Sequence, residues 1–355
     1  MNRSIRAYLN LLWQSFIFWF FTFFLFLIIR YSGMKTNLEI EDPNFTFTLS
    51  DKFLYALIMG AIVGFIFSIV EYLFQKYISK KIVIALQFVL KTIIYLITLI
   101  ALFTFIRWLF QYEQDIEIQE EEKDWWKTNA SFWVGVIVFI IATLNFSFIK
   151  IALEKFGKKN FVNLLIGKYN TPREEERIFM FLDLKDSTTI AESLGHIKYS
   201  QFIQECFFDL NNLVLLYHAE IYQYVGDEVV LTWDSNIGFK NNNCIELFKA
   251  FYIALEKKTD YYENTFGVAP KFKAGIHGGK LIVAEVGSVK KEIAYHGDVI
   301  NTAARIQSMC NTYEQNLMLS EDIKLNIDTS SYTLEELGDL LLKGKLEKVK
   351  VFGLK

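Results

Sequence analysis

Two acidic residues and an Asn/Arg pair are the side chains of this sequence whose types and spacing can do chemistry. Asp183 follows the apolar run Ile178-Phe179-Met180-Phe181-Leu182, which reads as a buried strand. Ser187 and Thr188, a few residues on, are each suited to cap a following helix. Asp227 follows Gly226 between two strand-like runs in AEIYQYVGDEVVLTW, a hairpin signal. Carboxylates at adjacent strand ends can converge on a hard cation, and Mg2+ needs only one or two of them when substrate phosphates complete its shell. In VINTAARIQSM the apolar spacing is helical, so Asn301 and Arg305, four residues apart, share one helix face. An amide offers hydrogen bonds and a guanidinium offers a planar fork for phosphate oxygens. Each feature alone has an ordinary reading: an Asp after a strand caps a helix, and Gly-Asp makes a turn. The conjunction is what points to catalysis.

Read together, these stretches resemble the catalytic domain of the class III nucleotidyl cyclases, the adenylate and guanylate cyclases. FLDLKDST is similar to the family's first metal motif, YVGDEVV to its second, and HGDVINTAAR to its transition-state helix. ELGDLLLKGKLEKVKVFGL resembles the terminal strand pair, and the resemblance covers about residues 175–355. It implies that Asp183 and Asp227, with the Leu184 backbone carbonyl, hold two divalent cations, Mg2+ or Mn2+. It implies that Asn301 orients the ribose and Arg305 meets charge developing on the α-phosphate. Lys343 falls where the family places a triphosphate-binding lysine, with Lys345 as its neighbour and competitor. Family active sites form between two catalytic domains, so one copy of each element implies a homodimer with active sites at the interface. The base-selecting positions depart from the family. Gln223 stands where adenylate-type members carry Lys, and Ala294 where they carry Asp or Thr. Guanylate-type members use Glu and Cys there. Glutamine offers both a donor and an acceptor to a purine edge, and alanine neither. ATP and GTP both stay open on these residues, and the family's bacterial majority favours ATP.

The reading is a membrane-bound adenylate cyclase that converts ATP to 3',5'-cyclic AMP and pyrophosphate. The alternatives are a guanylate cyclase and a catalytically silent pseudo-cyclase receptor. YVGDEVV also resembles the GGDEF loop of diguanylate cyclases, which have no need of HGDVINTAAR. His296 reads as a turn residue beside the substrate pocket, and His196, His218 and His277 as structural.

The elements that must position this chemistry come in two parts. The chain has 355 residues, 52% hydrophobic and 17% aromatic, which is too apolar for an ordinary soluble protein. A net charge of -3 implies no broad basic surface and hence no nucleic-acid partner. Apolar runs at about residues 11–29, 53–74, 82–106 and 131–153 predict four transmembrane helices within a domain 1–153 in contact with membrane lipid. The first run is too long for a signal-peptide core and lacks a small-residue cleavage site, so it reads as retained. Arg3 and Arg6, Lys76, Lys80 and Lys81, and Lys155, Lys158 and Lys159 lie on one side of these runs, with acidic loops on the other. The positive-inside rule then puts both ends in the cytoplasm of a multi-pass cell-membrane protein. Trp108, Trp125, Trp126 and Trp133 suit an interfacial belt at the outer ends. Glu71 and Lys91 fall inside apolar runs and are expected to pair, and Gly60 and Gly64 form a small-xxx-small packing face. The three cysteines, Cys206, Cys244 and Cys310, have no metal-like spacing and read as free thiols.

Residues 154–177 read as a stiff cytoplasmic connection: an amphipathic helix, a turn at Asn170-Thr171-Pro172 and a charged lead. The catalytic domain, 178–355, is expected to be α+β with a ferredoxin-like β-α-β-β-α-β order. Strands are predicted at 178–183, 219–233 as a hairpin, 271–276 and 280–286, and helices at about 187–217, 243–266 and 299–311.

Overall fold

A computed structural model describes residues 3–31, 48–78, 82–114, 130–341 and 348–354. Its contacts divide the chain into two units, Met1–Phe156 and Gly157–Lys355. In the first, long apolar sequence keeps its backbone hydrogen bonds within helices. These are α1 (Arg3–Tyr31), α2 (Leu49–Leu73, continued by a π-helical turn at Phe74–Ile78), α3 (Ile84–Gln114) and α4 (Ala130–Phe156). Stretches long and apolar enough to cross a bilayer are Tyr8–Arg30, Leu49–Leu73 and Trp133–Leu153. The expected fourth span lies in α3, where the described apolar stretch is the shorter Leu86–Ala101. Among the described residues three stretches reach full spanning length, and α3 supplies a shorter apolar fourth. The acidic loops and the basic and Trp flanks of the sequence reading, Trp133 excepted, lie outside the described residues and side chains.

The Gly60 and Gly64 face is a packing face. A Cβ at Gly60 would stand 2.8 Å from the Phe20 backbone, and one at Gly64 2.8 Å from that of Phe16. The absent side chains let α1 and α2 approach backbone to backbone. Trp19, fully buried, fills the space beyond, with ring centroids 4.5 Å from Phe67 and 4.9 Å from Phe139. Glu71 and Lys91 pair across α2 and α3 at 2.8 Å, and the Tyr95 hydroxyl donates to the second Glu71 oxygen at 3.3 Å. Removing one partner of such a pair strands the other charge in an apolar interior. Lys91→Met is thus expected to cost about 3–5 kcal/mol of stability, and Glu71→Leu added to it is expected to restore most of the loss. Thermal melts of the detergent-solubilised protein check this, and a double variant no more stable than the single one contradicts it.

The second unit starts with α5 (Lys158–Leu165) and a turn into β1 (Arg173–Leu184). Next come α6 (Ser187–Val214), the hairpin β2 (Glu220–Val225) and β3 (Glu228–Asp234), and α7 (Ser235–Phe239). They are followed by α8 (Asn243–Glu256), α9 (Thr259–Phe266), β4 (Phe272–Val286), β5 (Glu292–His296) and α10 (Asp298–Ser308). β6 (Leu317–Ser320), α11 (Glu321–Asn326), β7 (Leu334–Leu340) and β8 (Val349–Leu354) complete the unit. The sheet order is β2-β3-β1-β4-β6-β8-β7, with β5 paired to β4. Its first four strands have the ferredoxin-like arrangement the sequence predicts.

β1 is central, antiparallel to β3 on one side and to β4 on the other. Strand alternation sorts its side chains between two cores. Ile178, Met180, Leu182 and Leu184 face the large core built with α6, α8 and α9. Phe179 and Phe181 face a smaller core with Val230, Leu281, Val283, Tyr295 and, from α10, Val299 and Ala303. Asp183 continues this second face, and so does Arg177 at its other end.

The strands differ from expectation in two places. The charged lead 173–177 is itself strand, because its charges are paired. Arg177, 1% exposed, binds Glu175 at 3.1 Å and lies near Glu220 and Asp234, with Tyr295 beneath its guanidinium. Burial alone would raise the Glu175 carboxyl, but bonds from Lys168, Tyr169 and Arg177 hold it down at about 2. The expected break between residues 276 and 280 is absent, and β4 runs on through Gly278-Gly279. Those glycines admit close neighbours: a Cβ would meet Ile323 and Ile178 at Gly278 and Val299 at Gly279, each within 3.3 Å. The helix expected over 243–266 is two, α8 and α9, parted at Lys257-Lys258.

Candidate active site

Register brings the chemistry together. Asp183, near the end of β1, stands opposite Glu228 on β3 and opposite Lys273 on β4. Directly opposed residues project to the same face, so Lys273, Asp183 and Glu228 form one rung across three strands. Lys273 Nζ lies 3.3 Å from Asp183 Oδ2, and Gln307 Nε2 on α10 donates to the same oxygen at 2.9 Å. Asp227 sits in the β2–β3 turn beside Gly226, whose φ of 63° is the left-handed value such a turn requires. Asp186, also left-handed, precedes α6 without a side-chain cap, so the helix starts at Ser187 rather than being capped by it.

The carboxylates feel one another. Burial raises the Asp183 carboxyl, Lys273 opposes this, and Asp227 adds to it. Glu228 is pushed up to about 7 by burial and by the charges of Asp183 and Asp227. Oxygen donors that crowd negative charge in this way suit a hard divalent cation, so the residues fit the expected Mg2+ or Mn2+. Among the described residues no three His, Cys, Asp or Glu form a ready ligand cage. Mg2+ does not require one, since it keeps waters and takes substrate oxygens. Leu184 is buried, and its side chain belongs to the large core, which leaves only its backbone carbonyl for an ion.

The Asn/Arg helix does not join this cluster in the same chain. Val299, Thr302, Ala303, Ile306 and Gln307 of α10 are buried, forming its sheet-facing stripe. At about 100° per residue, Asn301 and Arg305 project from the far side of the helix. Asn301 is exposed, and Arg305 Nη1 is buried with no hydrogen-bond partner among the described residues. One helix thus gives Gln307 to its own chain's Asp183 and turns Asn301 and Arg305 away. The helix lies hard on β4, where a Cβ at Gly275 would stand 2.2 Å from the Gln307 nitrogen.

Gln223 is exposed on β2, and Ala294 is half-buried on β5. Their neighbours Tyr222 and Tyr295 stack edge to face at 4.9 Å, which holds the two strands' aromatic sides together. Lys343 and Lys345 lie outside the described residues. Of the histidines, His277 is buried against Ser320 at 2.8 Å. The three cysteines are free and buried, with thiols pushed up to about 12, chiefly by burial. Lys273, Gln307 and Glu228 went unread in the sequence. Glu228 carried a signal, an acid directly after Asp227, while the other two are visible only once strand register and helix face are known.

Glu228→Gln removes one of the crowded charges. In the metal-free protein it is expected to be more stable than wild type above pH about 7, where the folded carboxyl is ionised. The folded value lies above the ordinary 4.5, so the wild-type deficit fades as pH falls through that interval and both states become protonated. Melting curves of both proteins against pH check this, and a gap that does not change with pH contradicts it.

Residues 170–355, over half of the chain, match the model of the adenylate and guanylate cyclase catalytic domain. A curated relative, "Adenylate cyclase 2" of Rhizobium meliloti (strain 1021), is 31% identical over 223 residues, 62% of this chain and 61% of the relative. "Adenylate cyclase" of Anabaena cylindrica is 24% identical over 237 residues, 60% of this chain and 46% of the relative. The chain thus spans less than two thirds of either. A solved bacterial light-regulated adenylyl cyclase shares the fold, with a TM-score of 0.55 at 18% identity, over 64% of this chain and 67% of that one.

Proposed function

Because the chain belongs to the adenylate and guanylate cyclase catalytic domain family, we propose that it is a membrane-bound adenylate cyclase that makes 3',5'-cyclic AMP and pyrophosphate from ATP for intracellular signalling. The observation that carries the reading is the rung of Lys273, Asp183 and Glu228 with Asp227 beside it, a carboxylate cluster short of positive charge. ATP is favoured over GTP because the relatives at 31% and 24% identity are named adenylate cyclases.

Asp183 and Asp227, with the Leu184 carbonyl, would hold the divalent cations. A bound ion supplies activation of the ribose 3'-hydroxyl and charge neutralisation at the triphosphate. In the reaction the 3'-oxygen loses its proton and bonds to the α-phosphorus, and the bond to the bridging oxygen breaks with pyrophosphate as leaving group. Asn301 uses its amide to hold the ribose so that this oxygen is in line. Arg305 turns its fork to the α-phosphate, and its buried Nη1, which has no hydrogen-bond partner among the described residues, is a donor ready for such an anion. Gln223 presents both a donor and an acceptor to the purine edge, Ala294 leaves room beside it, and Lys343 takes the triphosphate.

Asn301 and Arg305 face away from the carboxylates of their own chain, which supports an active site completed by a second copy: a homodimer with two equivalent sites. The apolar helices of the first unit support a membrane location, with α3 as a fourth span and the catalytic unit on the cytoplasmic side.

Product analysis of the detergent-purified full-length protein, given ATP and GTP in parallel with Mg2+ or Mn2+, tests the reading. Cyclic AMP is expected to dominate. Predominant cyclic GMP would make the protein a guanylate cyclase, and no cyclic product under any condition would overturn the enzyme assignment. Asp227→Ala is expected to lower turnover on the order of 10³-fold, the loss of several kcal/mol of charge stabilisation. Circular dichroism should show the variant folded.

A further inference from the structure

We infer that Gln307 is a positioning residue for the cation site, its side-chain amide holding the Asp183 carboxylate in the orientation that receives a divalent ion. The inference rests on the cation-binding reading of Asp183. Gln307 is 6% exposed, and its Nε2 donates to Asp183 Oδ2 at 2.9 Å. The backbone behind that amide cannot retreat. A Cβ at Gly275 would stand 2.2 Å from the Gln307 nitrogen and 2.6 Å from its Cα, so the helix rests directly on β4 at this residue. Asp183 itself is held from below by pairing on both edges of β1. Two fixed backbones therefore set the span that the amide bridges.

A buried glutamine can be a mere filler that found a partner, but the partner here decides between the readings. The other donor to Oδ2 is Lys273, an ammonium at 3.3 Å. A divalent ion arriving at Asp183 repels that ammonium. A neutral amide is not repelled, and it orients the carboxylate without consuming its charge. Gln307 is the contact that persists when the ion is bound. Hydrogen bonds of this kind to metal-binding side chains are worth about 10–100-fold in metal affinity.

The test uses full-length protein and Mn2+, with free Mn2+ read by electron paramagnetic resonance. Gln307→Met keeps the length and bulk of the side chain and removes the donor, and Gln307→Asn keeps an amide that is one methylene too short. Both are expected to bind Mn2+ about tenfold more weakly. The Mn2+ concentration for half-maximal cyclase activity is expected to rise by the same factor, while kcat at saturating Mn2+ and KM for the nucleotide stay near wild type. Unchanged Mn2+ affinity in both variants, with Asp183→Ala abolishing binding, would overturn the role of Gln307 and leave the cation site standing. A fall in kcat that saturating Mn2+ does not repair, at unchanged affinity, would assign Gln307 to seating α10 and overturn the inference too. Mn2+ binding that survives Asp183→Ala would overturn the cation-site reading and this inference with it.

Discussion

Like charges held together at the end of a central strand are the constraint on which the rest of the second unit depends. Pairing β1 on both edges fixes Asp183 beside Glu228 and places Asp227 in the adjoining turn. Burial and the charge of Asp227 raise both Asp183 and Glu228, and the charge of Asp183 raises Glu228 further. A fold selected for stability alone would not crowd acids here, since unpaired buried charge is costly. The sheet around the acids is paired on both edges of β1 and packed on both faces. On the same face of β1, Phe179 and Phe181 separate the acidic end from the Arg177 network, and the opposite face is packed by Ile178, Met180, Leu182 and Leu184.

Helix α10 completes the arrangement by having two different faces. Its buried stripe is pinned to the sheet at Gly275 and through Gln307 to Asp183. Its other side carries Asn301 and Arg305 outward. The carboxylates and the Asn301/Arg305 pair are thereby fixed in relation to one another within a chain yet kept from meeting there. The homodimer we propose rests on this separation: the α10 face of one copy would meet the carboxylates of the other.

What was legible in the sequence was local. Asp183 announced itself by the apolar strand before it, Asp227 by the glycine turn, and Asn301 with Arg305 by spacing of four on a helix. In the first unit Glu71 and Lys91 stood out because charge inside apolar runs needs a partner, and they are partners. What was not legible depends on register. Lys273 is ninety residues from Asp183 in sequence and meets it only because β1 and β4 pair antiparallel at that rung. Gln307 lies two residues past Arg305 yet on the other side of the helix. The gap expected between the strands 271–276 and 280–286 holds Gly278-Gly279, which admit Ile323 and Val299 and let one strand run through. The charged residues 173–177 looked like a lead-in because nothing local shows that Arg177 will be surrounded by Glu175, Glu220 and Asp234.

The most direct measurement mixes two inactive chains. Protein carrying Asp183→Ala and protein carrying Arg305→Ala are co-expressed with different affinity tags, and heterodimers are isolated by both tags in sequence. One site of each heterodimer then has intact carboxylates from one chain and an intact α10 from the other, while the second site lacks both. Cyclase activity that returns in the heterodimer, up to about half of the wild-type value per dimer, is the expected result. Heterodimers that form and remain as inactive as either parent would contradict an active site shared between two chains.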